Sequence, residues 1–303
     1  MKVSLKNWLI LLVLSLTWGS SFILIKQGLH AFTPYQVGAL RMTIAAGFLS
    51  IWGFRNLRKI PRNKIFWVIL AGANGNFIPM FLFPIAQTHV SSSMAGILDS
   101  LVPIFVLLFG ALFFAIPAKM NQILGALIGF SGAVLLIGFD GMSGENSFLH
   151  SLLIVLATAM YGINGLIITS KLKDIPSFQL STALFSIWLI PAVIVLFLSG
   201  FFRDFVGTTE QWHSLGYVTL LGFFGTALAM MLFYKMIQET SAIFASMVTY
   251  IMPLISVSWG VMVGENITWL HFVGFLLILN GVYLIQKKSK NEIELPENSP
   301  KEV

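Results

Sequence analysis

Ten runs of predominantly apolar residues, each about 20 residues long, follow one another along this chain. A helix needs about 20 such residues to cross the hydrocarbon core of a bilayer. Only helices and closed barrels satisfy their backbone in lipid, and barrel strands alternate polar and apolar residues, whereas run 123–137 is apolar on nearly every face. The pattern therefore predicts an all-α polytopic membrane protein. The predicted spans are Trp8–Ile25, Pro34–Phe54, Ile65–Ala86, Ser92–Phe114, Asn121–Phe139, Leu149–Ile168, Phe178–Leu198, Leu215–Lys235, Ala242–Val263 and Thr268–Gln286.

The composition leaves little of the chain for anything but these runs. Of 303 residues, 57% are hydrophobic and 10% are charged, whereas soluble proteins carry about 25% charged residues. No soluble catalytic domain is expected, and the chain lacks the G-x-x-x-x-G-K-[ST] loop of an ATP-driven pump. It contains no Cys, and its five His are scattered without ligand spacing. We therefore expect no metal site, no cofactor and no disulfide.

The distribution of positive charge predicts the orientation in the membrane. With the N-terminus in the cytoplasm, fifteen of the 18 Lys and Arg residues fall on the cytoplasmic side, Lys26 and Arg203 fall outside, and Arg41 lies within the second run. Cytoplasmic loops of membrane proteins carry such an excess. The net charge of +6 is thereby explained without nucleic-acid binding. Residues 287–303, rich in Lys, Glu, Asn and Pro, read as a disordered cytoplasmic tail.

The sequence also repeats itself at an offset of about 150 residues. Trp67–Phe83 (WVILAGANGNFIPMFLF) resembles Tyr217–Phe233 (YVTLLGFFGTALAMMLF), and the segments that begin at Ser91 and Ser241 correspond with Pro103 matched to Pro253. Five spans per copy is an odd number, so the second copy enters the membrane from the opposite side. We therefore predict two inverted five-helix repeats, residues 1–144 and 145–286, which is the architecture of many secondary transporters.

Several sequence motifs resemble those of the EamA-type family of the drug/metabolite transporter superfamily. They are TWGSSFILIK at 17–26, ALR at 39–41, the twice-repeated SxxxASxxxxxxP-like element and the glycine-rich last run of each copy. The first copy departs from the pattern, with Gly96 in place of a small Ser and Ala115 where the family usually has Glu. The second copy fits better, with matches at Tyr234, Ser241, Ala242, Ala245, Ser246, Pro253 and Glu265.

The resemblance implies a ten-helix carrier of the cell's inner membrane with both termini in the cytoplasm. Members of the family move small metabolites, often amino acids, outward. The expected partners are therefore a small-molecule substrate and the lipid bilayer, and the resemblance implies no enzymatic activity.

Four polar residues inside the predicted spans are candidates for substrate binding: Asp99, Asn74, Asn76 and Asn164. An ionisable group within a bilayer costs at least about 2.5 kcal/mol and is a functional candidate by default. Asp99 could bind a substrate ammonium or carry a proton; the alternative is that it pairs with Arg41 or caps a broken helix. For the three amides, hydrogen bonding between helices is the alternative to substrate contact.

The aromatic candidates for cavity walls are Trp18, Tyr161, Phe77 and Tyr250. Trp18 and Tyr161 occupy matched places in the first and sixth runs, and each precedes a Gly. Ordinary packing in the core or against lipid is the alternative for each ring.

Gating or structural roles are predicted for Arg41, Glu265, Pro103 and Pro253. Arg41 lies about 10 Å inside the second run and needs a carboxylate or the interface. Glu265 lies at the end of the ninth run, and the two prolines interrupt helices by removing a backbone donor.

Together these observations predict a secondary active transporter that exports small amphipathic or zwitterionic metabolites by alternating access. The alternative is a membrane-embedded lipid-handling protein, either a scramblase or a lipid-modifying enzyme. A hydrolase would show a cluster of His, Asp or Glu or a Ser beside a base, and the sequence contains no convincing one. Protons are a candidate coupling ion, and both a monomer and a homodimer remain open.

Overall fold

The computed structural model describes residues 4–142, 147–240, 244–245 and 247–286. Within these ranges every regular element is a helix, so the prediction of an all-α protein is confirmed. The predicted boundary at residue 144, the predicted tail 287–303 and the motif residues Ser241, Ala242 and Ser246 lie outside the described residues.

The helices vary in length because several of the apolar runs are interrupted. We number them along the chain as α1 (Leu5–Gly28), α2 (Pro34–Leu57), α3 (Ile65–Gly72), α4 (Pro79–Ala86), α5 (Ser92–Asp99), α6 (Val102–Phe113), α7 (Met120–Met142), α8 (Ser147–Lys171), α9 (Ser177–Leu198), α10 (Phe201–Asp204), α11 (Thr209–Gly222), α12 (Ala229–Glu239), α13 (Val248–Met262) and α14 (Trp269–Gln286). Two π-helical segments, π1 (Ala73–Phe77) and π2 (Phe223–Leu228), join α3 to α4 and α11 to α12.

Among the described residues, eight helical stretches are long and apolar enough to cross a membrane, and Val248–Met262 and Trp269–Ile285 are shorter apolar helices. The chain is therefore a multi-pass membrane protein. The arrangement of ten spans as an inverted repeat stays a prediction. The eight stretches are Leu5–Gly28, Pro34–Leu57, Arg62–Ala86, Ser92–Phe113, Met120–Gly138, Phe148–Lys171, Ser177–Leu198 and Thr209–Glu239.

Proline governs the irregularity of the fourth and ninth runs. The fourth run breaks at Ser100, between α5 and α6, and Pro103 occupies the first turn of α6. Pro253 lies inside α13, where it cannot donate a hydrogen bond to the carbonyl of Thr249. The Ser100 hydroxyl donates to that carbonyl at 3.1 Å. Ser100, at the break in the fourth run, thus supplies the hydrogen bond that Pro253 cannot donate within the ninth run.

Small residues allow two pairs of helices to pack closely at the periphery. A Cβ added at Gly53 of α2 would overlap the Ser186 hydroxyl of α9. In the same way, Gly125 of α7 lies against the backbone of Gly281 in α14. These contacts are typical of membrane helices, whose backbones approach where side chains are small.

The remaining helices form two groups that enclose the centre of the bundle. Helix α8 packs against π1, α4, α5 and α6, while α1 packs against π2, α12 and α13. Helix α2 contacts both α4 and π2. Polar residues from both groups and from α2 line the central space.

Candidate functional site

A buried cavity of about 120 Å³ lies between these two groups of helices. An engineered cavity of roughly 150 Å³ holds a benzene molecule, so this space suits one small solute. Its polar lining residues are Trp18, Ser21, Arg41, Asn76, Asp99, Tyr161, Asn164, Thr226 and Thr249. Its apolar lining consists of aliphatic, methionine and phenylalanine side chains, which are Phe22, Ile25, Met80, Phe83, Val102, Val106, Met230, Phe233, Ile237, Ala245, Val248 and Met252.

Asp99 is the last residue of α5 and faces this cavity with 7% of its surface exposed. Its Oδ1 atom has no hydrogen-bond partner among the described residues. A carboxylate at a helix C-terminus is disfavoured by the helix dipole, and α6 begins without a side-chain cap. The capping alternative for Asp99 therefore finds no support in this geometry.

Arg41 projects from α2 into the same cavity and is also 7% exposed. Its Nε donates to Thr226 Oγ1 at 2.8 Å, and the Thr226 hydroxyl lies 3.0 Å from the carbonyl of Leu221, to which it donates. No N···O distance of 4.0 Å or less joins Arg41 to Asp99. Two opposite charges thus face one buried space without forming a close pair.

Two amides complete the side of the cavity that carries Asp99. Asn76 of π1 donates from Nδ2 to the Tyr234 hydroxyl at 3.2 Å, while its Oδ1 has no partner among the described residues. Asn164 of α8 likewise has an unpartnered Oδ1, and its amide packs directly against Gly75. We call Asp99, Asn76 and Asn164 the acceptor wall, because each presents a buried oxygen that no described donor satisfies.

A second set of lining residues carries a positive charge and hydroxyl groups. Arg41, Thr226 and Ser21 contribute a guanidinium and two hydroxyls, and we call these three residues the arginine wall. Ser21 and Thr226 direct their hydroxyl hydrogens to carbonyls of Thr17 and Leu221. The positive charge of Arg41 therefore dominates this wall.

Trp18 and Tyr161 line the cavity from α1 and α8. The Trp18 Nε1 donates to the carbonyl of Gly225 at 3.0 Å, and its ring meets Phe233 edge-on at 4.9 Å. The Tyr161 ring stacks on Phe83 with centroids 6.0 Å apart. Since π2 provides the carbonyl that holds Trp18, the irregular backbone helps to position a cavity wall.

Three residues predicted to bind substrate lie outside the cavity lining. Asn74 donates from Nδ2 to the carbonyl of Leu70 at 2.9 Å. Phe77 stacks on Trp188 with centroids 4.5 Å apart. Tyr250 lies on α13, half-buried and apart from the lining. These three residues therefore take no part in the proposed substrate contacts.

Glu265 lies in the turn after α13, where its carboxylate caps the first turn of α5. Oε1 accepts hydrogen bonds from the backbone and hydroxyl of Ser92, both at 2.7 Å. Oε2 accepts from the backbone and hydroxyl of Ser93 at 3.0 and 2.5 Å. Burial raises the pKa of the Glu265 carboxyl, but these four hydrogen bonds more than offset it, so the pKa is lowered from its ordinary value.

Several lining residues were not predicted from the sequence. Among them are Thr226, Ser21 and the three methionines Met80, Met230 and Met252. The repeat contained a usable signal for Thr226, because an offset of 150 residues matches it to Asn76. Methionines in apolar runs give no comparable signal, since they are as suited to packing as to a cavity wall.

The fold and this site define a multi-pass membrane protein with a buried cavity that carries both charges. The family model described as the EamA-like transporter family matches residues 6–138 and again 149–286. The chain belongs to this family.

Relatives of similar length carry transporter names. The chain is 26% identical to an "Uncharacterized transporter" of Archaeoglobus fulgidus, covering 94% of this chain and 100% of the relative. It is 25% identical to a "Probable amino-acid metabolite efflux pump" of Escherichia coli, covering 93% and 95%. It is 24% identical to a "Probable terminal-alkyne amino-acid exporter" of Streptantibioticus cattleyicolor, covering 95% and 96%.

A solved crystal structure shares the fold at low sequence identity. It superposes with a TM-score of 0.63 at 18% identity, covering 92% of this chain and 96% of the other. At this identity the likeness concerns the fold alone.

Proposed function

We propose that the protein is a secondary active transporter that exports small zwitterionic metabolites, with amino acids as the first candidates. The observation that carries the proposal is the pair of unpaired opposite charges, Asp99 and Arg41, that face one buried cavity. A buried charge without a partner costs several kcal/mol. A zwitterion would supply a partner for each charge at once.

The proposed binding mode places the two ends of the substrate on opposite walls. The substrate ammonium lies at the acceptor wall, where three oxygens lack a donor. The substrate carboxylate lies at the arginine wall, where the guanidinium still has Nη donors beside the Nε bond to Thr226. The methionine and phenylalanine side chains of the lining accept the apolar part of the substrate.

Alternating access between two inverted five-helix repeats is the mechanism that we propose. The π segments support it, because Ala73 and Phe223, where they begin, are 150 residues apart. The pairing of α1 with α13 and of α8 with α6 is the exchange of partners that an inverted repeat would produce. The two separate family matches support it as well.

The proposed setting is the cell's inner membrane, with both termini in the cytoplasm. The distribution of Lys and Arg supports this orientation. The Escherichia coli relative is named as an amino-acid metabolite efflux pump, and the Streptantibioticus cattleyicolor relative as an amino-acid exporter. Both names support the substrate class and the outward direction.

Counterflow in proteoliposomes tests the proposal. Vesicles are preloaded with phenylalanine, with its amine analogue phenethylamine or with its acid analogue phenylpropionate, and are probed with labelled phenylalanine. A panel of other amino acids extends the series. We expect exchange with amino acids and at least about tenfold weaker exchange with either one-charge analogue, since a lost ionic contact is worth more than about 1.4 kcal/mol.

The same vesicles supply the controls. Asn74→Ala changes an amide outside the lining and should transport normally. A fluorescent-lipid translocation assay tests the lipid-handling alternative. Lipid translocation without exchange of any amino acid would overturn the proposal. Equal exchange of phenylalanine, phenethylamine and phenylpropionate would overturn it as well. Counterflow at pH 6 and pH 8 tests protons as the coupling ion.

A further inference from the structure

The two ends of the bundle are packed differently. One end is the Leu5 side, where α1 begins, and the other is the Gly28 side, where α1 ends. Lys6 is hydrogen-bonded to Glu239, which places the end of α12 on the Leu5 side. Lys26 is hydrogen-bonded to the carbonyl of Gln87, which places the turn before α5 on the Gly28 side.

On the Gly28 side, α5 and α13 are in tight contact. A Cβ added at Gly96 of α5 would overlap the Ser256 hydroxyl of α13. A Cβ added at Gly260 would overlap both the Ser93 hydroxyl and the Glu265 carboxylate. The four hydrogen bonds that Glu265 accepts from Ser92 and Ser93 join α5 to the turn after α13. This contact lies at the Gly28-side end of α5, whereas Asp99 at the other end of α5 lines the cavity.

Within the described residues, which do not include 241–243 and 246, the matched positions on the Leu5 side are less tightly packed. Gly110 corresponds to Gly260, and among the described residues a Cβ added there would meet nothing closer than Ile116 at 3.5 Å. Val106 corresponds to Ser256, but it lines the cavity. The lining continues to Ile237 near the end of α12. The cavity lining therefore reaches toward the Leu5 side at Ile237, as it reaches toward the Gly28 side at Ile25.

The backbone turn that presents Glu265 also has a counterpart without a carboxylate. Gly264 adopts a left-handed conformation with φ of 82°, and the Glu265 N–H donates to the carbonyl of Gly260 at 2.9 Å. At the end of α6, Ala115 has φ of 53° and the Ile116 N–H donates to Gly110 at 3.0 Å. The first-copy turn is one residue longer, and neither Ala115 nor Ile116 carries an acidic side chain.

We propose that Glu265 is a latch that holds α5 and α13 together on the Gly28 side and biases the transporter toward the conformation that opens on the Leu5 side. Ala115 and Ile116 provide no equivalent latch for the opposite conformation. Each transport cycle then breaks the latch to open the Gly28 side. This inference rests on the proposed alternating access, but its test needs no substrate.

Cysteine accessibility tests the latch, because the chain has no native Cys to remove. Ile25→Cys reports on the cavity near the Gly28 side, and Ile237→Cys reports near the Leu5 side. Each is combined with Glu265→Gln, and labelling by a membrane-impermeant maleimide is followed in vesicles of both orientations. We expect Glu265→Gln to speed labelling of Ile25→Cys about tenfold and to slow labelling of Ile237→Cys.

Two further variants keep the result interpretable. Ser92→Ala combined with Ser93→Ala removes two of the four donors but leaves the backbone amides, so a smaller shift in the same direction is expected. Glu210→Gln changes an exposed carboxylate in the first turn of α11, on the same side of the bundle, and should shift neither rate. A purely structural cap would lower thermal stability without moving the two rates in opposite directions.

Unchanged labelling at both reporters in Glu265→Gln would overturn the latch, as would fast labelling of Ile25→Cys from the Gly28 side in the parent protein. The outcome is separable from that of the proposed function. Opposite shifts in labelling without amino-acid exchange would leave the latch standing and reject the substrate class. Exchange without any shift would reject the latch alone.

Discussion

The two walls of the cavity occupy matched positions in the repeated sequence but differ in chemistry. At an offset of 150 residues, Asp99 of the acceptor wall corresponds to Thr249, and Asn76 corresponds to Thr226 of the arginine wall. The helices around them are matched in their irregularities, since π1 and π2 interrupt equivalent runs. A repeated scaffold thus carries an acid and amides on one side and hydroxyls on the other.

Because of this difference, the two walls suit a different kind of molecule from the one that two identical walls would suit. A symmetric pair of walls would offer the same group to both ends of a substrate and would suit a molecule with two like ends. Here the acceptor wall is negative and the arginine wall is positive, so a bound molecule has a preferred direction. In the proposed mechanism the scaffold provides the motion, while the departures from symmetry provide the recognition.

The largest expected effect comes from removing the charge of the acceptor wall. Asp99→Asn keeps the size of the side chain, and we expect the initial counterflow rate to fall on the order of 100-fold, because an ionic contact to a desolvated ammonium is worth about 2–5 kcal/mol. Thr249→Val, at the matched position, should reduce the rate about fivefold or less. Equal losses in the two variants would contradict the assignment of the ammonium to Asp99.

A smaller effect is expected from the glycines that let each wall approach its π segment. A Cβ added at Gly75 would overlap the Asn164 amide, whereas one at Gly225 would lie 2.9 Å from the Ser21 hydroxyl, which can rotate away. We expect Gly75→Ala to raise KM about tenfold and Gly225→Ala about twofold, since overpacking costs about 1–3 kcal/mol.

Gly216→Ala is the matched control for these two variants, because a Cβ there meets nothing within 4 Å. It should leave KM unchanged. If Gly225→Ala proves the more damaging of the two, Asn164 is not the more tightly positioned group, and the acceptor wall loses one of its members.

A smaller increase in KM is expected when Arg41 loses the hydrogen bond that its Nε donates to Thr226. Thr226→Val removes the hydroxyl that accepts from Arg41 Nε at 2.8 Å but keeps the guanidinium itself. One such hydrogen bond is worth about 1 kcal/mol, so we expect KM for an amino acid to rise about fivefold. The affinity for the amine analogue, measured by competition, should stay the same. A parallel loss for the amine would show that Thr226 does not act through the carboxylate site.

The smallest effect concerns the pH dependence of the latch. The pKa of Glu265 is lowered from its ordinary value, which is already well below neutral pH, so the carboxylate is ionised at pH 7 and accepts all four hydrogen bonds from Ser92 and Ser93. A carboxyl whose pKa is lowered by folding stabilises the fold above its unfolded value and loses that contribution as the pH falls through the folded value.

We therefore expect the labelling rate of Ile25→Cys, corrected for maleimide reactivity, to stay constant between pH 8 and pH 6. It should rise only at a pH below the ordinary pKa of a glutamate, about 4.3. A rise near pH 6 in the parent protein that persists in Glu265→Gln would assign the gate to another group.

The class of protein could be predicted from the sequence because long apolar runs, repeated motifs and the placement of Lys and Arg are visible without coordinates. The all-helical membrane fold and the family follow from these patterns. The sequence also identified five residues that the structure brings into one cavity, which are Asp99, Asn76, Asn164, Trp18 and Tyr161. Burial of a charge or an amide in an apolar run is a strong signal.

Other features depended on the tertiary structure. Asn74 and Asn76 are two residues apart, and only Asn76 lines the cavity, because residues at i and i+2 do not share a helix face and π1 alters the local register. In a membrane helix the lipid-facing and core-facing residues are both apolar, so no amphipathic period reveals which face points inward. The same limit applies to Phe77, which stacks on Trp188 outside the cavity.

The sequence by itself determined the all-helical membrane class, the family and the internal similarity between its two halves, since each depends on the order of residue types along the chain. The tertiary structure decided which polar groups share a cavity, that Arg41 and Asp99 face it without pairing, and that Glu265 reaches Ser92 and Ser93 from 172 or 173 residues away. These outcomes depend on how helices rotate and cross, which is governed by packing between segments distant in the chain.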